Sequence, residues 1–291
     1  MMTCNKHASG EIEHAFKNHC AELGVIFTKH LIADGKLHRE HVEGDKTGTK
    51  NAAYILHADD RPAGWLQHFN SGVTSRWTLS GQREPMSATM RQQIEADRQA
   101  RKVEQALLHE DAANKARYTW SNAKTVTEQG QHQYLINKRI EPHGLRAFNG
   151  VLVVPIYDEH KRMVNLQLIQ ADGTKRFLSG GKKKGCFSVI GKLETSNIIQ
   201  ICEGYATGAS LHEATGHFTV IGLDAGNLEA VAVTIRKLYP TAQIIICGDN
   251  DESGVGQKAA RAAALAVAGK YLIPSITGQD WNDTLTMEVA V

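Results

Sequence analysis

Asp249 and Asp251 stand two residues apart, just after the apolar run Ile244-Ile245-Ile246-Cys247 and its stop at Gly248. The run reads as a buried strand. The turn Asp251-Glu252-Ser253-Gly254 leads into an alanine-rich stretch, 256–268, of helical composition. Strand, acidic turn and helix is how an open α/β sheet presents a site at the carboxyl end of a strand. Two carboxylates on one turn repel, which raises a pKa unless a cation lies between them. A divalent ion with oxygen ligands relieves that repulsion, and Mg²⁺ suits a few carboxylates plus phosphates. A polar loop with a helix cap is the alternative reading.

More acids follow the same rule. Apolar runs at 197–202, 218–223, 243–247 and 271–273 read as strands, alternating with helices at 205–215, 228–238 and 256–268. Right-handed β-α-β steps give a parallel sheet covered by helices on both faces, with all strand carboxyl ends on one edge. Glu203 follows the first strand and Asp224 the second. Asp249 and Asp251 follow the third, and Asp280 and Asp283 come after the last. Acids clustered from four places in sequence are costly unless cations compensate them. Metal binding is therefore expected here.

The elements that must position these acids occupy a chain of 291 residues, a length that predicts about two domains. The formal charge of +2 gives no global positive field, so nucleic-acid contacts must be local patches. Five scattered cysteines with no CxxC pair fit a reducing compartment. No apolar run is long enough to span a membrane, and the first residues lack the apolar core of a secretory leader. A cytoplasmic location is expected.

Residues 1–84 read as a small α+β, nucleic-acid-binding-like domain: a helix near 12–23, then strands at 26–27, 53–57 and 65–69. Its many histidines, among them His7, His14, His19, His30, His38, His41, His57 and His68, lack the thiolate pairs of a structural zinc site. Lys36, His38, Arg39, Lys46 and Lys50 form either a phosphate-contacting set or an ordinary polar face. Residues 85–125 are charged and Gln/Ala-rich, predicting a long helical linker with Trp120 packing onto the following domain. Residues 126–196 form a small mixed strand subdomain, with a strand at 151–157, a turn at Asp158-Glu159-His160-Lys161 and a partner strand at 163–169. Residues 197–291 complete the α/β sheet.

A basic counterweight precedes the acids. Residues 151–200 hold Lys161, Arg162, Lys175, Arg176, Lys182, Lys183, Lys184 and Lys192 against only Asp158, Glu159, Asp172 and Glu194. A basic face beside an acidic metal site suits nucleic acid plus nucleotide. The 185–192 stretch is not a Walker phosphate loop: the spacing is one residue too long, and Leu193 stands where Ser or Thr must bind magnesium.

Glu203-Gly204-Tyr205 after one apolar strand and Asp249-Asn250-Asp251 after another resemble a TOPRIM domain. That domain occurs in bacterial-type primases, type IA and II topoisomerases and some nucleases. Residues 146–179, with the element Lys175-Arg176-Phe177-Leu178-Ser179, resemble the segment upstream of TOPRIM in bacterial-type primases. The combination, over about 131–283, is most similar to plasmid- and phage-encoded primases. The resemblance implies metal ligation and catalysis by Glu203, Asp249 and Asp251, with Asp280 as a further ligand. It places template and nucleotide contacts at Arg146, Lys175 and Arg176. The chain departs from the pattern at Ala206-Thr207, where many primases carry an acid, and at Asn250, where glycine is common. The zinc ribbon of cellular primases is not recognisable.

The expected function is a DNA primase that uses Mg²⁺ or Mn²⁺ to make short RNA primers from ribonucleoside triphosphates on single-stranded DNA. A replicative helicase or initiator is the expected partner. The alternatives are a TOPRIM nuclease working with the same acids and a non-catalytic nucleic-acid-binding protein.

Overall fold

The computed structural model describes residues 9–59, 62–79, 88–193 and 197–288. Cys4, His7 and Glu194 lie outside the described residues, as do the expected boundaries at 84/85 and 196/197. The chain divides into two units, Met1–Gln92 and Gln93–Val291.

The first unit packs one helix, α1 (Ser9–Glu22), on a four-stranded antiparallel meander. Its strands are β1 (His38–Glu40), β2 (Ala52–His57), β3 (Ala63–His68) and β4 (Thr74–Thr78). Ile12, Phe16 and Cys20 recur at helical spacing and are buried against Tyr54, Leu56 and Leu66. Gly64 allows the closest approach: a Cβ there would lie 2.4 Å from the Phe16 ring. The expected strand at 26–27 is only an isolated bridge, Phe27 with Val42. Strands β1 and β4 carry almost no apolar residues, so alternation could not mark them.

A single helix, α2 (Ala88–Asn122), runs across the division after Gln92, and most of it belongs to the second unit. Its later turns are packed rather than bridging through solvent: Ala112, Ala113 and Ala116 are buried, and Trp120 lies against a cluster that includes Val153 and Leu166. Next come β5 (Lys124–Thr125), the short helix α3 (Gln133–Lys138), β6 (Arg146–Phe148), β7 (Val151–Tyr157), β8 (Met163–Ile169) and β9 (Lys175–Phe177). The five strands form one antiparallel sheet in sequence order.

The last sheet contains β10 (Ser188–Ile190), β11 (Ile198–Cys202), β12 (Phe218–Ile221), β13 (Gln243–Cys247) and β14 (Lys270–Leu272), in the order β10-β12-β11-β13-β14. Four strands are parallel, as expected. The fifth, β10, runs antiparallel to β12 at one edge. The helices are α4 (Tyr205–Thr215), α5 (Leu228–Leu238), α6 (Val255–Ala266) and α7 (Trp281–Glu288). Helices α4 and α7 share a core with Cys202 and Cys247, while α5 and α6 pack on Ile199, Ile201, Ile244 and Ile246. Alternate residues of β11 and β13 thus supply opposite faces. Helix α7 was not apparent in the apolar pattern. Asp280 and Asp283 start it with a reciprocal capping box: each accepts the backbone N–H of the other, at 2.9 and 3.3 Å. No helix among the described residues is long and apolar enough to cross a membrane.

Candidate active site

Strand register builds the site. Cys202 lies beside both Ile221 and Cys247, so the residues that follow leave the sheet together at its carboxyl edge. Adjacent strands are about 4.8 Å apart, which brings Glu203 next to the turns holding Asp224 and Asp249. The missing side chain of Gly256, on the first turn of α6, marks where the acids meet. A Cβ there would lie 2.7 Å from the Asp249 carbonyl, 2.9 Å from Asp251 Oδ2 and 3.3 Å from Glu203 Oε1.

Glu203 Oε1 and Asp249 Oδ1 are buried with no hydrogen-bond partner among the described residues. Burial, then the charges of Asp249, Asp251 and Asp224, push the Glu203 carboxyl up to about 7. Burial, then Asp280 and Asp251, push Asp249 up to about 6, against the pull of Lys175. Buried acids without donors are expensive as anions unless a cation meets them. These oxygens therefore fit a divalent ion. Among the described residues, no three His, Cys, Asp or Glu side chains are already gathered into an ion-sized cluster.

Of the two acids on this turn only Asp249 is raised, and Asp251 goes the other way. Burial works to raise it, but the Ser253 hydroxyl and the N–H groups of Gly256 and Val255 outweigh burial and hold it below the usual carboxylate range. Its Oδ2 accepts from Gly256 N–H at 2.6 Å, and its Oδ1 from Ser253 Oγ at 2.6 Å and Val255 N–H at 3.1 Å. Asp251 thus caps α6 and stays anionic beside Glu203. Asp280 reaches the same field through Asn250. The Asn250 Nδ2 donates to the Pro274 carbonyl at 2.8 Å, and its backbone bridges to Gln279.

The basic residues divide. Lys175 points its ammonium into the site: a Cβ on Gly204 would lie 3.7 Å from its Nζ. The residue is exposed overall, yet burial of the ammonium end, then Lys138, hold it below the usual lysine range; Asp280 and Asp249 pull the other way. Lys183 pairs with Asp224 and lies 5.2 Å from the Phe177 ring centroid. Lys182 pairs with Glu159 at 3.2 Å. Lys184 lines a separate cleft of about 560 Å³ with Glu159, Glu229, Thr234 and Lys237. Arg176 is exposed on β9. Arg146 donates to the Trp120 carbonyl at 2.8 Å and lies over its ring at 4.6 Å, fastening α2 to the antiparallel sheet.

A cleft of about 550 Å³ opens beside Lys175, lined by Tyr134, Lys138, Arg139, Asn282 and Asp283 among others. Lys138, Arg139 and Asn282 were not among the residues expected from sequence. Asn282 is buried and donates to the Lys138 carbonyl and Ser210 Oγ, both at 2.8 Å, tying α7, α3 and α4 together. The adjacent basic pair Lys138-Arg139 at a helix end was the signal that could have drawn notice.

Residues 198–290 match the family model described as Toprim domain. Over 285 residues the chain is 35% identical to DNA primase TraC of Escherichia coli, covering 90% of this chain and 26% of the relative. A second DNA primase TraC of Escherichia coli is 36% identical over 266 residues, covering 84% of this chain and 18% of that relative. The chain thus spans about a quarter or less of the curated relatives it matches. The crystal structure of the primase fragment of the bacteriophage T7 primase-helicase protein aligns with a TM-score of 0.40 at 19% identity, covering 57% of this chain and 78% of that one. The matched residues start at β11 and take in Glu203, Asp249, Asp251 and Asp280. The likeness to TraC extends beyond residues 198–290 to most of the chain.

Proposed function

We propose that this chain is a DNA primase, with Glu203 and Asp249 at the centre of a nucleotidyl-transfer site that uses Mg²⁺ or Mn²⁺. The observation that carries the reading is the pair of buried, unpartnered oxygens on adjacent strand ends, Glu203 Oε1 and Asp249 Oδ1, beside Lys175. The similarity to relatives named DNA primase favours synthesis over hydrolysis.

Primer extension joins a 3′-hydroxyl to an α-phosphate and releases pyrophosphate, a transfer that depends mainly on positioning and charge neutralisation. Glu203 and Asp249 would hold the metal, with Asp251 and Asp280 completing the negative field. A bound divalent ion supplies triphosphate neutralisation and lowers the pKa of the attacking hydroxyl. Lys175, Lys138 and Arg139 line a cleft of nucleotide size and receive the triphosphate there. Lys183 balances Asp224 and holds the loop Gly180-Gly181-Lys182-Lys183-Lys184-Gly185 at the edge of the acids. Single-stranded DNA serves as template, ribonucleoside triphosphates as substrates, and a replicative helicase or initiator as partner.

The test is primer synthesis on single-stranded DNA with ribonucleotides and Mg²⁺ or Mn²⁺. Short labelled oligomers should form, and should vanish in Asp249→Asn and Glu203→Gln. Metal-dependent shortening of the template, without oligomers, would instead identify a nuclease.

A further inference from the structure

We propose that the first unit carries a separate site for single-stranded nucleic acid, on the face of its sheet that α1 leaves open. The proposal does not depend on the primase reading.

Side chains alternate across a sheet, and register fixes which share a face. Helix α1 covers the face of Tyr54, Leu56 and Leu66, and the Trp77 ring lies 5.5 Å from Phe16 on that side. The opposite face is read from the pairs Arg39 with Ala53, Ile55 with Trp65, and Trp65 with Arg76. One row across the sheet is therefore Ile55, Trp65 and Arg76. The next row is Arg39, Ala53, Gln67 and Thr74. Phe69 continues that side of the β3 line. Its N–H donates to the Asn51 carbonyl at 2.9 Å, and the Arg39 guanidinium lies 4.6 Å from its ring centroid.

The two rows are one-sided in charge. They hold two arginines and no aspartate or glutamate, while Asp34 is bridged to His57 one row further on. Among the described residues neither Arg39 nor Arg76 forms an ion pair. Trp65 is half-buried and belongs to none of the core clusters, and Phe69 is 44% exposed. Each aromatic has an arginine next to it, Trp65 across the ladder from Arg76 and Phe69 beneath Arg39. The Arg39–Phe69 pair is a cation–π contact, and it leaves the outer faces of both groups open to a ligand. Unstacked bases offer π faces to the rings and phosphates to the guanidinium groups. Rows on one face are about 6.8 Å apart along the strands, a spacing that splayed bases can follow. Aromatic rings with adjacent cations on a sheet surface form a sequence-tolerant stacking platform. Duplex DNA keeps its base faces covered and is excluded by the same argument.

The experiment is fluorescence anisotropy of a labelled oligothymidylate titrated with the full chain at several salt concentrations. Trp65→Ala should weaken binding about tenfold, and Trp65→Phe should recover most of it. Arg39→Ala with Arg76→Ala should weaken binding and flatten the salt dependence by about one to two counterions. Photo-cross-linking with a bromouracil oligomer should map to 63–69 or 74–78. Both arginines are solvent-facing, so the double variant remains decisive if Trp65→Ala fails to fold. Binding within about twofold of wild type in the double variant, or cross-links confined to the second unit, overturns the proposal.

Discussion

Asn250 and Gln279 face each other across an isolated antiparallel bridge: the Asn250 N–H donates to the Gln279 carbonyl at 3.0 Å, and the Gly278 N–H donates back to the Asn250 carbonyl at 2.6 Å. The Asn250 side chain completes the clamp, donating to the Pro274 carbonyl and accepting from Gln257 Nε2 at 2.6 Å. The turn bearing Asp249 and Asp251 and the segment leading to Asp280 are thereby one piece. Asn250→Gly keeps the backbone bridge and removes the side-chain bonds. It should cost about 1–2 kcal/mol in chemical denaturation and weaken Mn²⁺ binding several-fold by calorimetry. Unchanged stability and affinity would show that the backbone bridge alone holds Asp280.

Gly256→Ala should be more damaging than its size implies. The added methyl falls within 3.3 Å of three oxygens of the acid cluster, one of them backbone. Overpacking of this kind costs about 1–3 kcal/mol. Metal affinity should fall further than stability does, because the methyl enters the space between Glu203 and Asp251. Calorimetry with Mn²⁺ alongside thermal unfolding separates the two effects.

Glu203 and Asp249 give the metal-free protein an unusual pH response. Their folded-state values, about 7 and about 6, lie above the ordinary carboxylate values. The folded chain therefore holds more protons than the unfolded chain between about pH 4 and 7, so these groups lower stability as pH rises through that window. Each is worth about 1–2 kcal/mol after allowance for solvent screening. The unfolding free energy of Glu203→Gln minus that of wild type should grow from pH 5 to about pH 8. Metal binding should tighten over the same interval and release protons, read by titration in two buffers of different ionisation enthalpy. A flat difference curve would mean that Glu203 titrates normally.

Asp251 has two jobs that substitution can separate. Asp251→Ala removes the α6 cap and the charge, costing about 1 kcal/mol. Asp251→Ser keeps a capping oxygen and loses the carboxylate. Its unfolding midpoint should stay near wild type while primer synthesis or metal binding falls as far as in Asp251→Ala. Equal loss of stability in both variants would show that the cap needs both carboxylate oxygens.

The strands that carry the acids, and the acids that follow them, are legible in the linear pattern of residues. Ile198–Cys202 and Gln243–Cys247 have buried residues on both faces, so they are written as nearly continuous apolar stretches. Glu203, Asp249 and Asp251 come next in the chain, and their convergence follows from parallel topology. The tertiary structure decided what surrounds them. Strand β10 is too short to carry a pattern, and its antiparallel placement is set by the edge of β12. Helix α7 has little apolar periodicity and begins from a local carboxylate exchange. Lys175, Lys138 and Arg139 lie far from the acids in sequence. They reach them because the antiparallel sheet shares a core with α4 and Cys202, an arrangement fixed by packing between side chains distant in the chain. Asp249 and Asp251, two residues apart, part company for the same reason. One is buried without donors and the other is wrapped by helix N–H groups, so the pKa of one rises and that of the other falls.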